Sequence, residues 1–260
     1  MSTTDSTTLK AAHFNYILHL ADTALILSQR ICQWCGHGPV LEQDIALSNV
    51  GLDLLGLTRN LYQYASTLDD KGRKEDDLAY LRNERQFKNL LLVEQENHHF
   101  GYTVLRQFLF DSYQILLLDT LKNSTDKILA AIAQKSLIET QYHFKWSAEW
   151  VIRLGDGTEE SHQKMQQALD DIWTYTGELF LAAPYEQTLI EAGMLSPLEN
   201  LKTQWHQKVA TVLQRATLNM PDSDKVFMQQ GGKNGIHTEH LGYILAEMQY
   251  LQRQYPGLEW

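Results

Sequence analysis

An all-α helical bundle is the fold this sequence predicts, and three observations predict it. Apolar residues recur at three- and four-residue steps over long runs, where strands would need strict alternation. Breakers are scarce: 5 Pro and 15 Gly stand in 260 residues, about 8 % together where average usage is near 12 %. One run, Tyr102–Leu121, is apolar almost all round, as a helix enclosed by other helices must be.

The elements follow in chain order. Met1–Leu9 is polar, and residues 1–12 are expected to be disordered. Phe14, Ile17, Leu18, Ala21, Leu25, Ser28 and Ile31 mark a helix over about Phe14–Trp34. Leu47, Val50, Leu54, Leu57 and Leu61 stripe a second over Leu41–Ala65. Asp69–Asp77 carries eight charges in nine residues and reads as a solvated connection. An amphipathic helix is predicted over Leu78–Leu92, and the enclosed Tyr102–Leu121 comes next. Asp126–Leu154 is closed by Gly155-Asp156-Gly157, and Met165, Leu169, Ile172, Thr176 and Leu179 mark a helix of about 160–182. Ser196-Pro197-Leu198-Glu199 is a start signal, with a capping Ser, a Pro at the first helical position and a Glu three residues after the Ser. The helix it opens carries Leu201, Trp205, Val209, Val212 and Ala216. Met220–Gly235 is irregular, and a last helix runs from about Ile236 to Gln254 before Pro256-Gly257. Without a composition shift or repeat, the reading is one helical domain over residues 1–260.

Composition narrows the function. With 22 Lys+Arg against 32 Asp+Glu the net charge is −10, which argues against a nucleic-acid partner. No window approaches the roughly 18 consecutive apolar residues of a membrane span, and no signal-peptide pattern is present. Two cysteines make no disulfide framework, so a cytoplasmic home is expected.

Inside a bundle the charged residues are informative, because a buried carboxylate needs a cation, a metal or a proton. Asp111 shares a row with Val104, Phe108, Ile115 and Leu118; Asp22 lies among Leu18, Leu25 and Ile26; Asp53 lies among Val50, Gly56 and Leu57. Glu139 and His143 share the fourth helix with Ile132, Trp146 and Trp150. Any one of these acids alone reads as half-exposed or bonded to an arginine. Four helices each offering an acid suggest the di-iron carboxylate bundles, which use six ligands: two single carboxylates and two Glu-x-x-His pairs. This chain has Asp53-Leu54-Leu55-Gly56 and Thr140-Gln141-Tyr142-His143 at those pairs, and Glu139 stands one residue early, about 100° round the helix. Asp22, Asp53, Asp111 and His143 remain, four of six, so no metal ligand, catalytic residue or cofactor is assigned to this chain. Protonated His143, Arg30 or Arg106 is expected to balance the stranded acids.

Other motifs carry weaker readings. Cys32-Gln33-Trp34-Cys35 has redox or half-zinc-site spacing, but no βαβ context or second pair supports either, and inert thiols are expected. His237, Glu239 and His240, with Glu247 two turns on, read as a metal cluster, a cap or an interface contact. Gly231-Gly232-Lys233-Asn234-Gly235 follows no strand and lacks the P-loop pattern, so it reads as a flexible loop able to touch a ligand through Lys233.

Several stretches occur together in order: Ser28-Gln29-Arg30, Trp34-Cys35-Gly36-His37, Gly51-Leu52-Asp53-Leu54-Leu55-Gly56, Glu84-Arg85-Gln86-Phe87 and Leu90-Leu91-Leu92-Val93-Glu94-Gln95. Lys164-Met165-Gln166-Gln167, Gly231-Gly232-Lys233, His237-Thr238-Glu239-His240-Leu241-Gly242 and Ala246–Arg253 follow. Over about residues 13–260 the chain resembles the C-subunit family of the bacterial phenylacetyl-CoA epoxidases. That resemblance implies a ferritin-like bundle with additional C-terminal helices, paired with a homologous catalytic A subunit that holds the di-iron centre and the CoA thioester. It implies a reductase subunit with flavin and an iron–sulfur cluster, and O2-dependent epoxidation of the ring at its 1,2 positions. This chain itself is then structural, with Gly56 and Thr140 where the catalytic relative has His and Glu. Contacts with the other epoxidase subunits are also open. Six Trp and twelve Tyr suit a large partner interface, expected at about 2,000 Å² or more. The competing expectation is an oxygenase subunit with an atypical metal set that uses Glu139 or Glu247.

Overall fold

A computed structural model describes residues 3–258, with side chains from residue 7. Ten α-helices form among them: α1 (Thr3–Cys32), α2 (Leu41–Leu68), α3 (Glu75–Tyr80), α4 (Leu91–Glu94), α5 (Phe100–Leu121), α6 (Lys127–Gly155), α7 (Glu159–Ile172), α8 (Pro184–Glu191), α9 (Glu199–Arg215) and α10 (Glu239–Gln254). Among the described residues there is no strand, so the all-α prediction holds. No helix among them is long and apolar enough to cross a membrane. The chain divides into two compact units, Met1–Gln95 with Ala182–Leu195 and Gly231–Trp260, and Glu96–Leu181 with Ser196–Gln230.

In the first unit α1 packs along α2, and α4, α8 and α10 also rest on α1. Every residue of α1 from Tyr16 to Ser28 is buried, including His19, Asp22, Thr23 and Ser28. The helix begins at Thr3, inside the stretch expected to be disordered; residues 1 and 2 lie outside the described residues. Helix α2 buries the predicted stripe of Leu47, Val50, Leu54, Leu57 and Leu61.

The helix predicted over Leu78–Leu92 does not exist as one element. Helix α3 ends at Tyr80, Glu84–Gln86 form a single 3-10 turn, and the chain is extended at Phe87 and Leu90 before α4. The break has a chemical reason. The Lys88 backbone N–H donates to Asp22 at 2.8 Å, and an N–H inside a helix would already be committed to the carbonyl four residues back. The carbonyls freed at the end of α3 are satisfied from α10. Gln249 Nε2 donates to Ala79 and Arg82 O, both at 3.1 Å, and Arg253 Nη2 donates to Arg82 O at 2.8 Å.

The glycine-rich segment before α10 is a packed element, correcting the flexible-loop expectation. Gly231, Gly232, Lys233 and Gly235 are buried. A Cβ at Gly232 would stand 2.3 Å from Asn89 O, so only glycine lets the two backbones approach this closely.

The second unit pairs α5 with α6 across a short connection and packs α7 and α9 on α5. Gly101–Gln114 is buried without interruption, as its apolar circumference predicted. Asp126 caps α6 by accepting from Ile128 and Leu129 N at 3.0 and 3.1 Å. The helix expected to reach residue 182 stops at Ile172 and continues as 3-10 turns over Trp173–Tyr175 and Gly177–Phe180. Helix α9 starts at Glu199 with Leu198 at its cap and no side-chain cap bond, so Ser196 does not serve as predicted.

Candidate functional site

The six positions read from sequence fall into two groups, one in each unit. In the first, Asp22 on α1 is fully buried and its carboxylate is fully engaged. Tyr62 on α2 donates its hydroxyl to Oδ1 at 2.6 Å. Arg82 donates Nη1 to Oδ2 at 3.0 Å and Nη2 to Oδ1, a two-point fork, and the Lys88 N–H completes the shell at 2.8 Å. The remaining guanidinium hydrogens reach the Leu78 and Gln86 carbonyls and the Tyr62 oxygen, so all five donors of Arg82 are placed. Its Cζ lies over the Phe87 ring, 4.2 Å from the centroid.

The electrostatics follow from this packing. Burial works against the Arg82 charge, but Asp22 and Tyr62 together outweigh it and raise the guanidinium's pKa. Burial and then the Asp22 charge push the Tyr62 phenol well above its ordinary value, so it stays a donor. Beside them, burial lowers the His19 imidazole to about 4. His19 is therefore neutral, with Nδ1 2.7 Å from the Lys88 carbonyl.

The cation that balances Asp22 is thus Arg82, not the predicted Arg30, Arg106 or His143. Arg30 donates to the Glu94 carbonyl at 2.8 Å and to Gln33, and Arg106 donates to Asn97 Oδ1 at 2.7 Å. Asp53 and Gly56 do not face the interior: both are half-buried on α2, while Leu54, Leu57 and Thr58 point inward.

Two further ion pairs are buried in this unit. Glu94 accepts from Thr238 N at 2.6 Å, Thr238 Oγ1 at 2.8 Å, Asn89 Nδ2 at 2.8 Å and His237 Nδ1 at 3.0 Å. Since His237 Nε2 also meets a carbonyl, that of Phe87 at 3.0 Å, both ring nitrogens donate and the imidazole is charged. Burial opposes that charge, but the hydrogen bond and charge of Glu94 prevail and raise the His237 pKa. Lys233 does not reach out to a ligand. Its ammonium pairs with Glu186 on α8 at 3.0 Å, both side chains being buried.

In the second unit Asp111 is buried and accepts from Gln107 Nε2 at 2.7 Å and Ser147 Oγ at 3.0 Å. Burial raises its pKa well above the ordinary carboxylate value despite those two bonds, favouring the neutral acid. Thr140 donates to Ser136 O at 2.8 Å on its own helix, His143 is buried, and Glu139 lies 3.9 Å from Lys135 near the surface. Glu239 and Glu247 are exposed, and His240 is half-buried. Cys32 and Cys35 are exposed free thiols.

Sequence reasoning missed Arg82, Tyr62, Glu94 and Glu186. Glu94 left a readable signal, an acid closing the apolar run Leu90–Val93. Arg82 left none, because it sat in a segment expected to be an ordinary amphipathic helix.

A di-iron set does not fit these side chains. The acceptor positions of Asp22 are all taken, so a metal would have to displace a buried guanidinium. Asp53 and Gly56 lie half-buried to the side of the inward stripe of α2, and Thr140 is bonded to its own helix. Among the described residues no group of three or more His, Cys, Asp and Glu side chains is gathered as a metal site requires.

Fold and site together define an all-α helical-bundle protein in which the buried Asp22, Asp111, Glu94 and Glu186 are engaged by internal salt bridges and hydrogen bonds. More specifically, the chain belongs to the phenylacetic acid catabolic protein family, whose model matches residues 1–260. It is 49 % identical over 245 residues to the C subunit of the 1,2-phenylacetyl-CoA epoxidase of Escherichia coli (strain K12), covering 94 % of this chain and 98 % of that one.

Proposed function

We propose that this chain is a non-catalytic, structural subunit of a cytoplasmic multicomponent phenylacetyl-CoA 1,2-epoxidase in aerobic phenylacetate degradation. It stabilises a catalytic A subunit that carries the di-iron centre, while a flavin and iron–sulfur reductase supplies electrons. The observation that carries the reading is Asp22, a bundle carboxylate whose acceptor positions are filled by Arg82, Tyr62 and the Lys88 N–H. A scaffold needs its interior charges neutralised from within, and a buried arginine does this without a metal. The similarity to the C subunit of a 1,2-phenylacetyl-CoA epoxidase supports the substrate class and a place in a multi-subunit complex.

Two measurements test it. The purified chain is incubated anaerobically with ferrous iron and desalted. Below ~0.2 Fe per chain the scaffold reading stands, judged against a two-metal centre. A value near two iron atoms would establish the competing oxygenase with an atypical ligand set. Separately, the chain and its catalytic partner should co-elute on a sizing column at micromolar concentration, and independent elution would refute the scaffold.

A further inference from the structure

Helix α1 ends at Cys32, and the chain then turns sharply through Cys35. The Cys35 N–H donates to the Cys32 carbonyl at 3.0 Å, and the Trp34 N–H donates to that of Ile31 at 3.0 Å. A four-residue turn closed by such a bond holds its end Cα atoms within about 7 Å. A disulfide spans Cα atoms about 4.4–6.8 Å apart. Bonds between residues three apart also set the two side chains on one face of the turn. The backbone therefore presents the two cysteines to each other before any bond between them forms.

Both thiols are free and exposed, and they are the two cysteines of the whole chain. The Cys32 sulfur lies 2.8 Å from the point a Cβ of Gly51 would occupy, so glycine on α2 leaves that sulfur its space. Between the cysteines, Gln33 accepts from Arg30 Nη1 at 3.2 Å. Arg30 in turn donates Nε and Nη2 to the Glu94 carbonyl at 3.1 and 2.8 Å. Those bonds tie the turn to the buried segment that carries Glu94.

Two other uses of the C-x-x-C spacing fit less well. Half of a zinc site needs two further ligands, and among the described residues no third His, Cys, Asp or Glu is gathered with the pair as a metal site requires. Dithiol oxidoreductases carry their pair at a helix N-terminus, whereas this one closes the C-terminal end of α1.

We propose that Cys32 and Cys35 are a peroxide-responsive dithiol, which a hydroperoxide oxidises to an intrachain disulfide that staples the end of α1. One sulfur, as its thiolate, attacks a peroxide oxygen and breaks the O–O bond; the departing oxygen takes up a proton as water, and the sulfur becomes a sulfenic acid. The second thiol attacks that sulfur, the S–S bond forms and a second water leaves. In sum, two thiols and one hydrogen peroxide give one disulfide and two waters, with two electrons passing from the sulfurs to the peroxide oxygens. A thiol poised to resolve the sulfenic acid also spares it from the irreversible sulfinic and sulfonic acids. The dithiol needs neither a partner nor a metal, so its failure would leave the structural-subunit reading intact.

In the test, the purified full-length chain is treated with hydrogen peroxide under native conditions and its remaining thiols are alkylated. Intact mass and non-reducing peptide maps are then read. Expected are a mass loss of two hydrogens, a fall in free thiols from two per chain to none, a peptide pair joining Cys32 to Cys35, and full recovery with dithiothreitol. C32S and C35S should instead gain oxygen or form chain-to-chain dimers, and neither should show the two-hydrogen loss. Closure should run roughly tenfold faster in the native chain than in urea, where the turn that presents the pair is gone. Oxygen adducts on the parent without the two-hydrogen loss would overturn the proposal. So would chain-to-chain dimers alone, or closure no faster in the native chain than in urea.

Discussion

Replacing Arg82 with methionine removes the cation beside Asp22 while keeping most of the side-chain volume. Asp22 is fully buried and Arg82 is 2 % exposed, so no water can take over the lost donors. Of four contacts the carboxylate keeps two, from the Tyr62 hydroxyl and the Lys88 N–H. Breaking a buried pair by deleting one partner typically costs about 3–5 kcal/mol, because the surviving charge is stranded. Arg82 also links the Leu78 and Gln86 carbonyls, and losing those bonds places the expectation at the upper end of that range. In urea, with a slope of about 3 kcal/mol per molar, the unfolding midpoint should fall by roughly 1.3–1.7 M. The double variant Asp22→Asn with Arg82→Met removes both charges. It should be far more stable than the sum of the single losses implies, because two contacting groups are strongly non-additive. Arg82→Lys should recover only part of the loss, since an ammonium cannot reproduce the fork. A loss below about 1 kcal/mol for Arg82→Met, the range of surface pairs, would refute the claim that this pair neutralises the interior of the first unit.

Three other outcomes follow from the same geometry. His237 has its pKa raised above 6.5 by Glu94, so its contribution is complete below the unfolded value and is lost as pH rises through the folded one. Urea midpoints from pH 6 to pH 9 should therefore fall more steeply for the unaltered chain than for His237→Gln, and parallel slopes would contradict a charged imidazole. Asp111 has its pKa raised by burial, so the acid is stabilised below its ordinary range and costs stability as pH rises through the folded value. Asp111→Asn, which mimics the neutral acid, should match or exceed the parent at pH 8, whereas a loss above about 2 kcal/mol there would indicate a carboxylate held in its ionised form. Gly232→Ala puts a methyl 2.3 Å from the Asn89 carbonyl and should lower stability by about 1–3 kcal/mol, read as a shift in melting temperature; an unshifted melt would mean the two backbones can separate freely.

The long helices were legible because each repeats one signal many times. Helix α2 reproduced its predicted stripe, and α5 was enclosed as its apolar circumference required. Short elements were not legible. Helix α8 has eight residues, too few turns for a period to emerge, and α3 and α4 were merged into a helix that the structure breaks. That break is a tertiary override of local propensity: the segment forgoes helical hydrogen bonds so that the Lys88 N–H and the Arg82 fork can meet Asp22. The acids were picked out correctly as unusual at Asp22 and Asp111, where an acid interrupts an apolar row. Asp53 was misplaced, because a rotation of one residue on α2 separates the buried Leu54 from the half-buried Asp53.

The sequence by itself determined that the chain is all-α, which long runs are buried, and that Asp22 and Asp111 are acids set in apolar rows. Periodicity and residue type suffice for those, since both are properties of a single element. Tertiary structure alone decided that Arg82 neutralises Asp22, that Glu94 holds His237, and that Lys233 is locked on Glu186 rather than offered to a ligand. The residues of these pairs stand 60, 143 and 47 positions apart in the chain. Which charge finds which depends on how separate elements pack, and no local pattern encodes that.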